Sequence, residues 1–110
     1  CGDNLSVHAN SYIDACGKIT IGHNVSIAHN TSLVSFEHTW EDDTYPIKYN
    51  PVTLKEIIIK DDIWIGCGVR ILSGANINSR CIIAAGSVVK GTLEKSSIYA
   101  GIPCKIIKKI

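Results

Sequence analysis

Residues suited to acid–base chemistry concentrate in one irregular stretch, SLVSFEHTWEDDTYPIKYNP, at positions 32–51. His38 lies there beside Glu37 and shortly before Glu41. An imidazole can accept and return a proton near neutral pH, and an acceptor on its second nitrogen fixes its orientation. Glu41 is one candidate for that acceptor and a backbone carbonyl is the other, because the adjacent Glu37 would point away in an extended segment. The stretch predicts either a general base or an ordinary exposed loop histidine.

The segments that must position this stretch repeat every six residues. Side chains that are nearly all apolar recur in pairs two residues apart: Val7, Ala9, Ile13, Ala15, Ile19, Ile21, Val25, Ile27, Thr31, Leu33, and later Ile57, Ile59, Ile63, Ile65, Val69, Ile71, Ala75, Ile77, Cys81, Ile83, Ser87 and Val89. Such a pattern falls all round a helix, whereas residues i and i+2 share one face of a strand. Residues that tolerate positive φ follow at the expected corners: Asn24, Asn30, Asp62, Gly68, Gly74 and Gly86.

Short strands joined by tight corners predict an all-β parallel β-helix, with coils stacked about 4.8 Å apart. We expect one domain over residues 1–110, with each buried Ile or Val contributing about 1.5–3 kcal/mol to its stability. The separation of Leu33 and Ile59 is not a multiple of six. The segment at about 35–56 should therefore leave the prism as an ordered loop, stiffened by Pro46 and Pro51. A short tail is expected at about 98–110.

Composition excludes several classes of protein. The net charge of +1 gives no electrostatic reason to bind nucleic acid or an anionic membrane surface. The apolar runs are too short to cross a bilayer, and no signal peptide is visible. The five cysteines form no C-x-x-C pair; free thiols in a reducing cytoplasm are expected. The sequence opens on Cys1 and has no methionine, which suggests a fragment of a longer chain.

The hexads ITIGHNVSIAHN and IWIGCGVRILSGANINSRCIIAAGSVV, with the ending YAGIPCKIIKKI, resemble the hexapeptide-repeat, left-handed β-helix acyltransferases. Within that superfamily, the sequence is most similar to maltose and galactoside O-acetyltransferases and to sugar O-acetyltransferases of polysaccharide clusters. The resemblance covers almost the whole chain and implies a three-sided prism, a homotrimer and acetyl-CoA as the acyl donor. It also places the catalytic histidine at His38, where it would activate an acceptor hydroxyl and later protonate the leaving thiolate.

The resemblance implies coenzyme A contacts in a slot between subunits, at Trp64, Cys67, Ala85, Lys90, Lys105 and Lys108. Trp64 should face outward, where a neighbouring subunit or the cofactor would cover it. Lysines could meet the phosphates, although a solvated terminal cap explains the same residues. The acceptor would contact His8, Asn10 and Glu41. His8 falls where the galactoside enzymes have asparagine and Cys16 where they have an acid, which argues against maltose or galactoside as the acceptor.

The same prism occurs in γ-class carbonic anhydrases, which bind zinc through three histidines. His23 and His29 are expected at corners of successive faces, pointing apart, and His8 does not join them. The sequence therefore predicts no metal site within one chain and leaves open only a zinc shared between chains. An O-acetyltransferase acting on a sugar hydroxyl by direct transfer is the favoured function. N-acetylation of an amino sugar and a non-catalytic trimeric scaffold are the alternatives. Mixed outward residues disfavour an ice-binding face.

Overall fold

The computed structural model describes all residues 1–110 and consists almost entirely of short strands. The first coil contains β1 (Ser6–Val7), β2 (Tyr12–Asp14) and β3 (Ile19–Ile21); the second contains β4 (Val25–Ile27) and β5 (Ser32–Val34), then β6 (Phe36–His38), a 3-10 turn (Ile47–Tyr49) and β7 (Val52–Leu54), and ends with β8 (Ile57–Ile59). The third contains β9 (Ile63–Ile65), β10 (Arg70–Ile71) and β11 (Asn76–Ile77); the fourth contains β12 (Cys81–Ile83), β13 (Val88–Val89) and β14 (Thr92–Leu93). Two strands, β15 (Ser97–Gly101) and β16 (Cys104–Lys109), complete the chain.

Equivalent strands of successive coils pair in parallel and build three faces of a prism. Face A has the order β1-β4-β9-β12-β15-β16, face B the order β2-β5-β10-β13, and face C the order β3-β8-β11-β14. Each coil thus places one strand on each face, as the six-residue period predicts. The structure contains no helix that is long and apolar enough to span a membrane.

The interior of the prism is filled by the predicted inward positions. From Ile21 to Val89, every residue of the paired series is buried, including the small polar Thr31 and Ser87. In the first coil, by contrast, Val7 and Ile13 remain 44% exposed. They are less buried because β1, β2 and β3 each pair with a strand on one side only.

The corners confirm the predicted backbone chemistry. All six corner residues expected to have positive φ have it; Asn30 lies at 58°, Gly68 at 68° and Gly86 at 74°. Asparagine and glycine adopt this left-handed region at the lowest cost, so the sequence pattern and the corner geometry have one cause.

The last coil departs from the period of six. Only Lys90, Gly91 and Thr92 separate Val89 from Leu93, and Leu93 takes the inward position on face C at 3% exposure. The segment expected as a short tail contains β15 and β16, which pair antiparallel and close face A at its edge. Tyr99 points inward at 7% exposure, and its hydroxyl accepts a hydrogen bond from the Glu94 amide at 2.8 Å.

Candidate active site

An arm leaves the prism between β5 on face B and β8 on face C. Its two ends are joined where the Lys55 amide donates to the carbonyl of Ser35 at 3.0 Å. The fully buried Ser35 hydroxyl accepts from the Gly17 amide and donates to the Asp14 carbonyl, both at 2.8 Å. A Cβ at Gly17 would lie 2.1 Å from the Ser35 carbonyl oxygen, so only glycine allows this approach. The first coil therefore holds the base of the arm in place.

His38 lies on the ordered stem of this arm. β6 and β7 pair antiparallel, with His38 opposite Val52 and Phe36 opposite Leu54. The Phe36 ring meets the imidazole edge-on, with ring centroids 6.0 Å apart, because residues i and i+2 of a strand share one face. The imidazole is exposed and makes no hydrogen bond or ion pair within the chain. Both nitrogens are consequently available to groups from outside the protomer.

The tip of the arm is organised by one amide side chain. Asn50 is only 5% exposed; its Nδ2 donates to the carbonyls of Asp42, Tyr45 and Pro46 at 3.1–3.2 Å. Its Oδ1 accepts from the Asp42 amide at 3.2 Å. Hydrogen bonds from the Thr44 side chain and amide lower the pKa of the Asp42 carboxyl. All of these contacts lie within the arm, so the segment between β6 and β7 is held by its own hydrogen bonds.

Glu41 does not orient His38 within the protomer. Its carboxylate accepts a hydrogen bond from the Trp40 amide at 3.1 Å. Beyond β6, the aromatic side chains of the arm are largely exposed, with Trp40 66% and Tyr49 70% exposed. An acceptor for the second nitrogen of His38 must therefore come from elsewhere if one is used.

A groove follows the corner between faces A and B. Its floor is a column of small residues, Ala28, Gly66 and Ala84. They are stacked because each amide donates to a strand carbonyl of the next coil, at 2.8–2.9 Å. A Cβ at Gly66 would lie 2.7 Å from the Ala85 nitrogen, so the backbone of adjacent coils approaches as closely as glycine permits. Trp64 forms part of the wall on the side of face A. The groove has a volume of about 330 Å³ and is largely apolar.

Three of the expected donor-site residues, Trp64, Cys67 and Ala85, line this one groove. Trp64 faces outward at 56% exposure, as expected. Ala100 on β15 is one coil beyond Ala84 at the same corner, and Lys105 on β16 lies opposite Ala100.

The remaining two lysines of the expected donor set lie further away. Lys108 is opposite Ile98, further along β16. Lys90 is at the corner between faces B and C, in a depression that it shares with Glu37 and Lys55 of the arm. Within one protomer, the structure therefore separates Lys90 from the residues of the groove.

The expected acceptor residues in the first coil lie on the same corner as the groove. The His8 amide donates to the Ile27 carbonyl at 3.0 Å, which places His8 directly before Ala28 in the column. Asn10 has a positive φ of 61° and stacks before Asn30. Both are exposed and lie at the end of the corner opposite Lys105. Glu41, the third expected acceptor contact, lies on the arm at a different corner.

His29 was not expected in the groove from the sequence, yet it is one of the residues that line it. The Gly68 amide donates to the His29 carbonyl and the Gly86 amide to the Cys67 carbonyl. His29, Cys67 and Ala85 are therefore stacked in successive coils at one corner position. Counting coils after removal of the arm from the sequence would have revealed this alignment.

His23 lies at a different corner from His8 and His29, between faces C and A, where its Nδ1 accepts a hydrogen bond from the Asp3 amide at 2.8 Å. No group of three or more His, Cys, Asp or Glu side chains in the structure is arranged to hold a metal ion. The five cysteines are all free thiols. Burial raises the pKa of the inward-facing Cys81 thiol, which makes it a poor nucleophile.

Comparison with known proteins agrees with this architecture. No protein-family model matches the chain. A Saccharomyces cerevisiae protein assigned as an acetyltransferase is 39% identical over 112 residues, covering 99% of this chain and 55% of that protein. The galactoside O-acetyltransferase of Escherichia coli K12 is 32% identical over 109 residues, covering 99% of this chain and 53% of the enzyme. The chain thus spans little more than half the length of these relatives.

Solved structures give the same result. A galactoside acetyltransferase in complex with coenzyme A superposes with a TM-score of 0.91 at 31% identity, covering 98% of this chain and 53% of that one. A hexapeptide-repeat acetyltransferase from Vibrio cholerae in complex with acetyl coenzyme A also gives 0.91, at 30% identity, covering 98% of this chain and 58% of that one. Stacked hexads with one inserted arm define a hexapeptide-repeat protein. The chain has the left-handed β-helix fold of the hexapeptide-repeat acetyltransferases, and galactoside and maltose O-acetyltransferases are among the proteins that it resembles.

Proposed function

We propose that this protein is an acetyl-CoA-dependent O-acetyltransferase that acts on a hydroxyl of a sugar or polysaccharide precursor. The observation that carries the proposal is the placement of His38 on a rigid arm, with both imidazole nitrogens free of partners in its own chain. Relatives named as galactoside O-acetyltransferase and a related structure that holds coenzyme A support the same reaction.

The active site is formed between subunits of a homotrimer. His38 leaves the prism at the corner between faces B and C, whereas the groove follows the corner between faces A and B. One protomer therefore presents a base at one corner and a donor groove at another, and a neighbouring copy brings the two together. Lys90, which is separated from the groove of its own chain, would then meet the coenzyme A that is bound to the neighbour's groove.

The reaction proceeds by direct transfer in a ternary complex. His38 takes the proton from the acceptor hydroxyl, and the hydroxyl oxygen attacks the thioester carbonyl carbon. The tetrahedral intermediate then collapses, the carbon–sulfur bond breaks, and the imidazolium returns the proton to the departing thiolate. The backbone N–H of Cys67 donates no hydrogen bond within the chain, so it can stabilise the negative oxygen of the intermediate.

Release of the coenzyme A thiol from acetyl-CoA, measured with a panel of sugar hydroxyl and amino-sugar acceptors, tests this function. His38→Ala should lower kcat by about 10²–10⁴, as expected when a general base is removed. His23→Ala, which removes an imidazole at another corner, is the matched control and should retain turnover. Unchanged turnover in His38→Ala would overturn the assignment of the base. Selective use of amine acceptors would instead indicate N-acetylation, and failure with every acceptor would indicate a non-catalytic prism.

A further inference from the structure

We infer that His29 closes the acyl end of the groove and restricts the donor to short acyl groups. The inference rests on the proposed function and names the donor class that this site accepts. At the corner position of His29, the preceding coil has Ala9 and the two following coils have Cys67 and Ala85. His29 is therefore the one ring side chain in a row of small ones. The lining of the groove ends in the second coil with Ala28 and His29, and His29 carries the only bulky side chain at this corner position.

The direction of the donor follows from the distribution of charge. Lys105 and Lys108 lie on β16, beyond the Ala84 end of the groove, and are exposed. Coenzyme A carries its phosphates at one end and its acyl group at the other, so the cations select the β16 end for the phosphates. Arg70 is a cation near the opposite end, beside Asn30. Its guanidinium donates to the carbonyls of Asn30 and Val69 and does not line the groove.

With the phosphates at β16, the acyl group points towards His29. The thioester carbonyl would lie at Cys67, whose amide is free, one coil before the end of the groove. One coil corresponds to about 4.8 Å of depth, which holds an acetyl group but not an extended six-carbon chain. Ala28, beside His29, carries only a methyl group, so the imidazole is the larger side chain at this end and sets the limit.

Equilibrium binding and thiol release should be compared for acetyl-, butyryl- and hexanoyl-CoA. A single methylene in an apolar pocket changes discrimination by about 10–200-fold. For His29→Ala, we therefore expect the ratio of hexanoyl to acetyl, in both affinity and kcat/KM, to rise by at least about 10-fold. His29→Phe keeps the bulk without the imidazole and should retain the preference for acetyl. His23→Ala is the control at another corner and should leave the ratio unchanged.

Each outcome separates this inference from the proposed function. A binding ratio that is the same in His29→Ala and the wild type, or equally relaxed in His29→Phe, overturns the closing role of His29. A shifted binding ratio without any thiol release, on the other hand, supports the groove limit and overturns the transferase reaction. A fall in kcat for acetyl-CoA with both variants, at an unchanged chain-length ratio, would identify His29 as an acid–base group and also contradict the inference.

Discussion

Removal of the Asn50 side chain should loosen the arm while leaving the prism intact. In Asn50→Ala, the two N–H hydrogens and the oxygen of the amide are lost, and with them the hydrogen bonds to Asp42, Tyr45 and Pro46. Each such bond contributes about 0.5–1.5 kcal/mol net, so three equivalents give about 1.5–4.5 kcal/mol of local stability. The lower part of this range applies where water reaches the freed carbonyls at the tip.

Amide hydrogen exchange measures this loss directly. Since about 1.4 kcal/mol corresponds to a factor of ten, exchange in β6 and β7 should accelerate by about 10- to 10³-fold. The amides of the prism strands should keep their exchange rates, because the hydrogen bonds of Ser35 hold the base of the arm separately. Turnover in the proposed reaction should fall as well, since His38 loses its fixed position. Asp43→Ala, an exposed neighbour whose side chain makes no hydrogen bond, is the control. Unchanged exchange in the arm, or equal acceleration throughout the prism, would refute the reasoning.

Two further predictions concern stability. Ile65→Ala removes a fully buried side chain and should lower the free energy of unfolding by about 2–5 kcal/mol in urea titrations; Ile13→Ala should cost much less because Ile13 is 44% exposed, and equal losses would contradict the burial argument. The ammonium of Lys109, 2.8 Å from Glu94, lowers the pKa of that carboxyl below its ordinary 4.5. Because the folded-state pKa is depressed, this stabilisation is present above pH 4.5 and is lost as the pH falls through the folded value. Glu94→Gln should therefore show a smaller fall in Tm on acidification than the wild type, and identical slopes would contradict the pairing.

The repeating part of the fold could be predicted because its cause is local. Ile27 and Ile65 are inward because a strand alternates, and Asn30 and Asp62 are at corners because their side chains tolerate a left-handed backbone. The shortened corner between Val89 and Leu93 could not be predicted, since it depends on how the fourth coil packs against β15. Exposure of the first coil likewise depends on stacking partners and not on the hexad pattern.

The candidate site was predictable only in part. The type and surroundings of His38 indicated acid–base chemistry, and the small residues near Cys67 indicated a ligand groove. The sequence could not show that these lie at different corners, because the connection between them depends on where the arm leaves the prism. Nor did it show His29 in the groove, since the arm shifts the register between His29 and Cys67. The first fact requires the stacked coils in three dimensions, whereas the second could have been found by counting coils with the arm removed.

Every corner position recurs once per coil, so the separation between the lysines of β16 and the imidazole of His29 is counted in whole coils of about 4.8 Å. The hydrogen bonds at the arm base involve only the first two coils. Duplication or loss of one coil between β9 and β15 would therefore change the groove length by a fixed increment and keep the hydrogen bonds at the base of the arm. The length of the proposed donor groove and the placement of His38 on the arm can therefore change independently of each other.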